Sequence, residues 1–453
     1  MLGMCVLQSL VWLDLSHNQL IRLDDAAFAT LPRLNYLDLS HNKELEITGK
    51  AFYGLENTLL ELKLQNISLD VVPDLSLNRL SSLNLAFNEL PTISQQLAEN
   101  LTSLRKLDLS YNDLTMIPEM IKFLPDLRSL SLSGNPITTL TNGTFVGVSE
   151  DIEELCLANL DLNEFEFGTF NHLYLLRSLE LSAYPGIPQF NVPRIVEHSL
   201  NLRTLRMHGP QKREETSYAM FSDGLSALVS PKFSNLPASD FARELSGQLP
   251  SKVRTIIFEG HMLNRIAEDV LKGVTSPVLH VAFKNTSITS LPDRIFNNLE
   301  HVRNITLDFD HTNSQLRKIS NPNTAHYPNI AEKTYLTDID IDGMSLGCDC
   351  ELGWIEFWQR KTRQYVCTSQ TWAERSFNQP IKALNQRESA VDQLCNEHHD
   401  ELRSATCSNK NNAILIEVLK TDLECGWGSG AMSLTTRISI LVIFGITFTG
   451  LLI

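Results

Sequence analysis

An α/β solenoid, with a curved parallel sheet on its concave face and a disulfide-bonded cap at its C-terminal end, is the fold this sequence predicts. Three observations lead there. Apolar residues return with one spacing at steps of mostly 21 to 26 residues along the chain. Each return contains an alternation of period two, the signature of a strand and not of a helix. Six of the 8 cysteines fall together after residue 347. A periodic array grows by repetition, so a length of 453 residues need not mean several globular domains.

The repeating unit is plainest at Leu10, Leu13, Leu15, Asn18, Leu20 and again at Leu34, Leu37, Leu39, Asn42. Further copies run Leu80, Leu83, Leu85, Asn88, Leu90, then Leu104, Leu107, Leu109, Asn112, Leu114, and Leu127, Leu130, Leu132, Asn135, Ile137. This is LxxLxLxxNxL, the leucine-rich repeat signature. Looser copies begin at Leu59, Ile152, Leu176, Leu202, Val253, Val278, Val302 and Leu336. The step from Leu202 to Val253 is about two periods, which predicts a degenerate fourteenth repeat around Leu225, Leu228 and Phe233. Pro210 to Pro250 is also the least periodic stretch and carries Lys212, Arg213, Glu214 and Glu215. A degenerate repeat with a surface loop is one reading; a functional protrusion or processing site is the other.

Within the unit, the LxL pair points inward from a short strand. The Asn sits at the bend, where its amide can pair backbone groups that turn inward. Phe28, Phe52, Phe145, Phe170 and Phe296 fall where the convex side must be filled. Ile67, Leu160, Thr286 and Met344 replace the Asn, so those bends need other partners.

A solenoid must shield its terminal core. The last repeat runs into Cys348-Asp349-Cys350-Glu351-Leu352-Gly353-Trp354-Ile355-Glu356-Phe357-Trp358, with Cys367 and Cys395 following. Leu352, Ile355 and Trp358 share one helical face and can cover the last repeat. Six cysteines at this spacing imply an oxidising compartment; zinc is the rival reading. The N-terminal residues carry no secretory signal, so the chain is expected to be the C-terminal piece of a longer protein or a truncated gene product. The expected organisation is a repeat array over 1–346 without its N-terminal cap, a cysteine-rich cap over 347–427, and a processing signal over 428–453.

That last segment ends in sixteen mostly apolar residues, Ile438 to Ile453. As a helix they reach about 24 Å, short of a roughly 30 Å hydrocarbon core. Small residues Gly428-Ser429-Gly430-Ala431 and a short spacer precede them. The pattern predicts a glycosylphosphatidylinositol (GPI) anchor at Ser429 or Gly428, with the tail removed. A short transmembrane tail is the competing reading.

The flank Cys348 to Cys367, with Cys395, resembles the cysteine-rich C-terminal flanking domains of extracellular leucine-rich repeat proteins. That resemblance implies disulfides Cys348–Cys367 and Cys350–Cys395. Cys407 and Cys425 make the group even and are available to pair with each other. Together with the array, the trailing Ser369-Gln370-Thr371-Trp372, Asp422-Leu423-Glu424-Cys425-Gly426-Trp427 and the anchor signal, the chain resembles the chaoptin family of insect photoreceptor-cell adhesion proteins. The resemblance implies homophilic cell–cell adhesion at the extracellular face of the plasma membrane. The partner is then another copy on an apposed membrane. The alternative is a lipid-anchored co-receptor that presents a ligand to a separate signalling receptor.

Net charge is −15, from 38 Lys plus Arg against 53 Asp plus Glu, which argues against a nucleic-acid partner. Outward strand positions should line the concave face: Trp12, Asp14, Ser16, Tyr36, Asp38, Glu61, Lys63, Lys106, Asp108, Glu154, Glu180, Arg206, His208, Glu259, Lys284, Asp308, Asp338, Asp340 and Asp342. Of these, Trp12, Asp14, Tyr36, Asp38, Lys106, Asp108 and Arg206 are the leading binding candidates, with Trp12 and Tyr36 as aromatic anchors. A preceding repeat would cover the neighbourhood of Trp12. Acids dominate the face, so two such faces should repel. Homophilic contact is expected on lateral or convex surfaces, or through bridging cations.

Asp338, Asp340 and Asp342 imitate the start of a calcium loop, but Ile339 and Ile341 already explain that alternation as a strand. Sequons stand at Asn66, Asn100, Asn142, Asn285 and Asn304. Cys156 falls on an outward strand position, Cys5 lies near the N-terminus, and His398-His399-Asp400-Glu401 reads as a loop. No cofactor, metal site or catalytic motif is expected, and the chain is not read as an enzyme.

Overall fold

The computed structural model describes residues 8–184, 187, 190–209, 249–261, 263, 265–266, 268, 270–271, 273–296, 299, 301–310, 315–322, 335–356, 358 and 404–421. Thirteen strands form one parallel sheet, each beside its neighbour in the repeat order. They run from Trp12–Asp14 through Tyr36–Asp38, Glu61–Lys63, Ser82–Asn84, Lys106–Asp108, Ser129–Ser131 and Glu154–Leu157. The sheet continues with Ser178–Ser182, Thr204–His208, Thr255–Glu259, Val278–Lys284, Asn304–Phe309 and Tyr335–Asp340.

The inward leucines behave as the spacing predicts. Leu37, Leu62, Leu83, Leu107, Leu130 and Leu155 stack in register and are buried. Burial of such a side chain contributes about 1.5–3 kcal/mol, and repetition multiplies it. The phenylalanines expected on the convex side, Phe28, Phe52, Phe145, Phe170 and Phe296, are also buried.

At the bends, the Asn amides form a ladder. Asn112 Nδ2 donates to Leu85 O and Leu109 O, each at 3.0 Å, while its Oδ1 accepts Leu90 N at 3.2 Å. Asn42, Asn88 and Asn135 repeat the arrangement. Each amide thus ties its own turn to the preceding one. Beyond Asn135 the device changes. Tyr184 occupies the Asn slot of its repeat; its hydroxyl donates to Leu157 O and accepts Leu160 N, both at 3.2 Å. One phenol hydroxyl replaces the two ends of the amide, and Leu160, which lacks an Asn, keeps its backbone paired.

Two expectations are corrected. No strand intervenes in the described sheet between the repeats at Leu202 and Val253: Thr204–His208 pairs directly with Thr255–Glu259, Leu205 against Ile256. The doubled step is a single rung with an insertion, and Leu225, Leu228 and Phe233 lie outside the described residues, as does the charged run at Lys212 to Glu215. Second, the repeat read as Val302, Ile305, Leu307 is set two residues further on. Leu307 pairs with Val281 and Ile339, and Phe309 with Phe283. A slip of two keeps every side chain on its expected face, so Asp308 still points outward.

The C-terminal end is closed as the Trp-bearing segment predicts. Leu352 and Ile355 are buried, and Trp354 Nε1 donates to Ile319 O at 3.2 Å and Trp358 Nε1 to Leu336 O at 2.8 Å. Ser345–Leu346 pairs in parallel with Thr406–Cys407, which pairs antiparallel with Ala413–Ile414; the helix Leu415–Thr421 follows. Asn409 clasps Cys348 from both sides, accepting its N–H and donating to its carbonyl, each at 2.9 Å.

This pairing decides the disulfide. Cys348 bonds to Cys407, with Cα atoms 5.3 Å apart, and not to Cys367 as the family resemblance implied; Cys407 is therefore not paired with Cys425. The strand pairing of Leu346 with Cys407 brings the two cysteines within bonding reach, which sequence spacing alone did not reveal. Cys350 is also in a disulfide. Cys367, Cys395, Cys425, Cys5 and the His398 to Glu401 segment lie outside the described residues.

Candidate functional site

Parallel register carries the outward residues of successive strands into columns along the concave face. The column following the central leucine reads Asp14, Asp38, Lys63, Asn84, Asp108, Ser131, Cys156, Glu180, Arg206. The acids here have a local duty that the sequence did not announce. Asp14 Oδ1 accepts Ser16 N at 2.8 Å, Asp38 Oδ1 accepts Ser40 N at 2.9 Å, and Asp108 Oδ1 accepts Ser110 N at 3.0 Å. Asn84 makes the same bond to Ala86 N at 2.9 Å. A side-chain oxygen at this position closes the strand end, and a neutral amide serves as well as a carboxylate.

Trp12 stacks on Tyr36 with ring centroids 5.0 Å apart, and Lys63 Nζ lies 5.0 Å from the Tyr36 centroid and 2.9 Å from its hydroxyl. Lys63 is also 3.6 Å from Glu61 and 3.9 Å from Asp38. Burial pushes the Tyr36 phenol above its ordinary value, while the hydrogen bond to Tyr36 holds Lys63 above its own. Trp12 lies on the first strand of the described sheet, and Tyr36 on the second is half-buried between it and Lys63. Lys106 is exposed beside it in the series, one strand beyond Ser82.

A second cluster joins Cys156, Glu180, Arg206, His208 and Glu259. His208 Nε2 lies 2.7 Å from Glu180 Oε1, and Arg206 reaches Glu259 at 3.1 Å and Glu180 at 3.6 Å. Burial would raise the Glu180 carboxyl, but the hydrogen bond and charge of His208, with Arg206, hold it below its ordinary value. The Cys156 thiol is pushed up to about 12, first by burial and then by Glu180. A thiol so held stays protonated and is a poor nucleophile, which accounts for an unpaired cysteine on this face. Further along, burial raises Asp308, reinforced by Asp340 and opposed by Lys284. Glu154 receives a hydrogen bond from Ser129 at 2.9 Å.

Asp338, Asp340 and Asp342 do not gather around a common point. Asp338 Oδ1 accepts Ile339 N, Asp340 Oδ1 accepts Asp342 N, and Asp342 pairs with Ser404, with Ile339 and Ile341 buried between them. Among the described residues no group of three or more metal-ligating side chains is placed to hold an ion.

The face is therefore acidic on balance, and two of its cations, Lys63 and Arg206, are already engaged by acids of the same face. The arrangement suits protein recognition by a broad polar surface. The leucine-rich repeat family model matches residues 8–69 and 78–137. Chaoptin of Drosophila melanogaster is 44% identical over 445 residues, 97% of this chain and 33% of that protein. The chain is a chaoptin-like leucine-rich repeat protein. Chaoptin of Tribolium castaneum is 40% identical over 79% of the chain and 43% of its own length. Tsukushi of Gallus gallus is 32% identical over 40% of the chain and 49% of its length. The chain thus spans less than half the length of each of these relatives.

One feature of this chaoptin-like chain escaped the sequence reading. The residue before the Asn slot has positive φ in repeat after repeat: His17, His41, Asn66, Phe87, Tyr111, Gly134 and Asn159. This second column runs along the edge of the concave face. In it His17 stacks on His41 at 4.1 Å and Phe87 on Tyr111 at 4.5 Å. The Tyr111 ring lies so close over Gly134 that a Cβ there would meet it at 2.5 Å. The signal was present as an aromatic or amide at a fixed step before the Asn, but the LxxLxLxxNxL template leaves that position blank.

The sequons distribute around this frame. Asn142 is exposed in a turn; Asn100 ends the helix Gln96–Asn100 and is half-buried. Asn304 is exposed at the start of its strand, on the parity of Asp308. Asn66 and Asn285 sit at positive-φ bends. Residues 422–453, with Gly428, Ser429 and the apolar tail, lie outside the described residues; no helix among the described residues is long and apolar enough to cross a membrane.

Proposed function

We propose that this chain belongs to a cell-surface adhesion protein that binds another copy of itself on an apposed membrane, in the setting of photoreceptor cells. The observation that carries the reading is the 44% identity to chaoptin across 97% of the chain, joined to a scaffold with no catalytic motif in its sequence. In this reading the protein is organised as a repeat array, a disulfide cap, and a signal for a GPI anchor at Ser429 or Gly428. The chain then sits on the extracellular face of the plasma membrane.

Charge decides which surface meets the partner. Lys63 and Arg206 are spoken for by Glu61, Asp38, Glu180 and Glu259, so a second concave face would bring like charges together. Like-charge juxtaposition costs several kcal/mol. The contact therefore falls on lateral or convex surfaces, leaving the concave face open.

The test is a cell-mixing assay with full-length protein. Two separately labelled populations that both display it are expected to form mixed clusters. Populations that display it yet stay dispersed would favour the co-receptor reading instead. Phosphatidylinositol-specific phospholipase should release the protein and abolish clustering; retention on treated cells would point to the transmembrane tail.

A further inference from the structure

The two flanks of the solenoid, one ahead of the strands and one beyond the bends, carry opposite charge. Arg177, Arg203 and Arg254 stand ahead of three successive strands, one per rung. Arg203 N donates to Arg177 O and Arg254 N to Arg203 O, each at 2.8 Å. All three side chains are exposed, on rungs about 4.8 Å apart. Glu153 of the preceding rung takes Arg177 at 2.8 Å, but Arg203 and Arg254 have no ion-pair partner among the described residues. Lys252 Nζ donates to Asn201 Oδ1, and Asn201 Nδ2 to Tyr174 O, both at 2.8 Å. That chain ties the same three rungs together and places Tyr174 and Leu200 on this flank, where they are 55% and 68% exposed. Tyrosine and arginine around an apolar patch are what interface anchors are made of. The opposite flank is acidic in the first half of the array. Glu46, Asp70, Asp74 and Glu89 are exposed there, with no ion-pair partner among the described residues. The bond from Glu89 N to Leu69 O, at 2.8 Å, sets Glu89 on the rung after Asp70. Of the cations nearby, Arg22 is held by Asp24 at 2.8 Å, and Lys43 and Lys50 are outnumbered by acids. This flank too has bare apolar side chains: Val71 is 69% exposed and Met116 is 70% exposed.

We propose that the arginine flank of one copy docks on the acidic flank of a second copy. The inference deepens, and rests on, the reading of the chain as one that binds another copy of itself. Tyr174 and Leu200 supply apolar area against Val71 and Met116, and guanidiniums meet carboxylates around them. Arginine suits this role because its planar fork takes a carboxylate through two parallel hydrogen bonds. Each flank repels its own kind, and the two cannot meet within one molecule, since the strands and bends stand between them. The contact is therefore heterologous: each copy keeps one open flank, and the assembly extends as a row instead of closing as a pair. It also leaves the acid-rich concave face free. An acidic polysaccharide would fit the arginines, but it gives the acidic flank and its exposed Val71 and Met116 no part.

The test is a charge swap in full-length protein displayed on two labelled cell populations. One population carries Arg203→Glu with Arg254→Glu, the other Asp70→Lys with Glu89→Lys. All four side chains are exposed, and equal surface display of both variants and wild type shows that each folds. Either variant alone is expected to cluster at least about tenfold more slowly than wild type, because its two flanks now match in sign. The two variants mixed are expected to recover to within about threefold of the wild-type rate, since each flank again finds its complement. Wild-type cells that do not cluster overturn the self-binding reading and the inference with it. Wild-type clustering matched by both variants overturns the inference alone, as does a loss in both without recovery on mixing. A loss confined to one variant overturns it too; confined to the arginine variant, it assigns those arginines to an acidic polysaccharide.

Discussion

The first and second halves of the sheet solve the same bend by different chemistry. From Trp12 to Ser131 the strands are three residues long, and buried Asn amides tie every turn but that of Glu61–Lys63, where Ile67 takes the Asn slot, to the one before. From Ser178 to Asp340 the strands lengthen to five to seven residues. The interior there acquires a stack of rings, Phe258 on Phe283 at 5.4 Å and Phe283 on Phe309 at 5.1 Å. Tyr184 stands at the junction, a ring that still performs the amide's hydrogen bonding. Where polar bend chemistry is lost, longer backbone ladders and larger apolar side chains take over the cohesion between turns. Nearest-neighbour coupling is what holds a solenoid together, and either device supplies it.

This contrast can be broken from either side. Phe283→Ala should have the largest effect, about 4 kcal/mol, because it empties a fully buried site between two rings. Denaturant unfolding followed by hydrogen exchange should place the loss in the second half, with amides before Ser131 still protected. Asn112→Ala should cost about 3 kcal/mol, since three inward carbonyls and Leu90 N lose a partner. Here the exchange pattern should reverse, with the first half opening. Tyr184→Phe keeps the ring and deletes one hydroxyl, orphaning Leu160 N and Leu157 O; about 2 kcal/mol is expected. A neutral result would mean that Tyr184 serves by shape alone.

Much of the first half was legible because its two signals are strict. Leu37 and Leu62 must be apolar to stack, and Asn112 must be an amide to serve acceptors and a donor at once. The second half was less legible because its devices tolerate substitution. Tyr184 replaces an Asn that the template demands, and an insertion between His208 and Thr255 mimics a missing repeat. Phe309 extends a strand that the spacing ends at Leu307. The cysteine pairing failed for a different reason. Which of several cysteines reaches Cys348 depends on the strand partner of Leu346, a long-range fact with no local trace. On the concave face the positions of Asp14, Asp38 and Asp108 were foreseen, but not their bonds to Ser16, Ser40 and Ser110, since a polar outward residue reads the same whether it waits for a partner or closes a turn.

The smallest expected effect concerns acid. Glu180 is held below its ordinary carboxylate range by His208 and Arg206, against the opposing effect of burial. The folded chain therefore binds this proton less readily than the unfolded one. Its contribution is complete above the unfolded value and is lost as pH falls through the lower folded value. Between about pH 5 and about pH 3, the unfolding midpoint of the wild-type chain should drop more steeply than that of Glu180→Gln; parallel profiles would remove Glu180 from the acid response.

The central functional claim is that copies meet away from the acid-rich concave face. Charge reversal would confuse that test, because Asp14, Asp38 and Asp108 close strand ends. Asparagine with alanine two residues on does not: Asn84 makes the same bond to Ala86 N natively, and that pairing avoids the sequon that Asn-Leu-Ser would create. The direct measurement is the clustering rate of cells displaying full-length protein with Asp14, Asp38 and Asp108 all changed to Asn and Ser16, Ser40 and Ser110 changed to Ala, against a control carrying the three serine changes alone. An unchanged rate, within about twofold, is predicted for lateral or convex contact. A loss of tenfold or more would show acids bridged by cations across the interface, a gain of that size would show faces that meet and repel, and either would contradict the account.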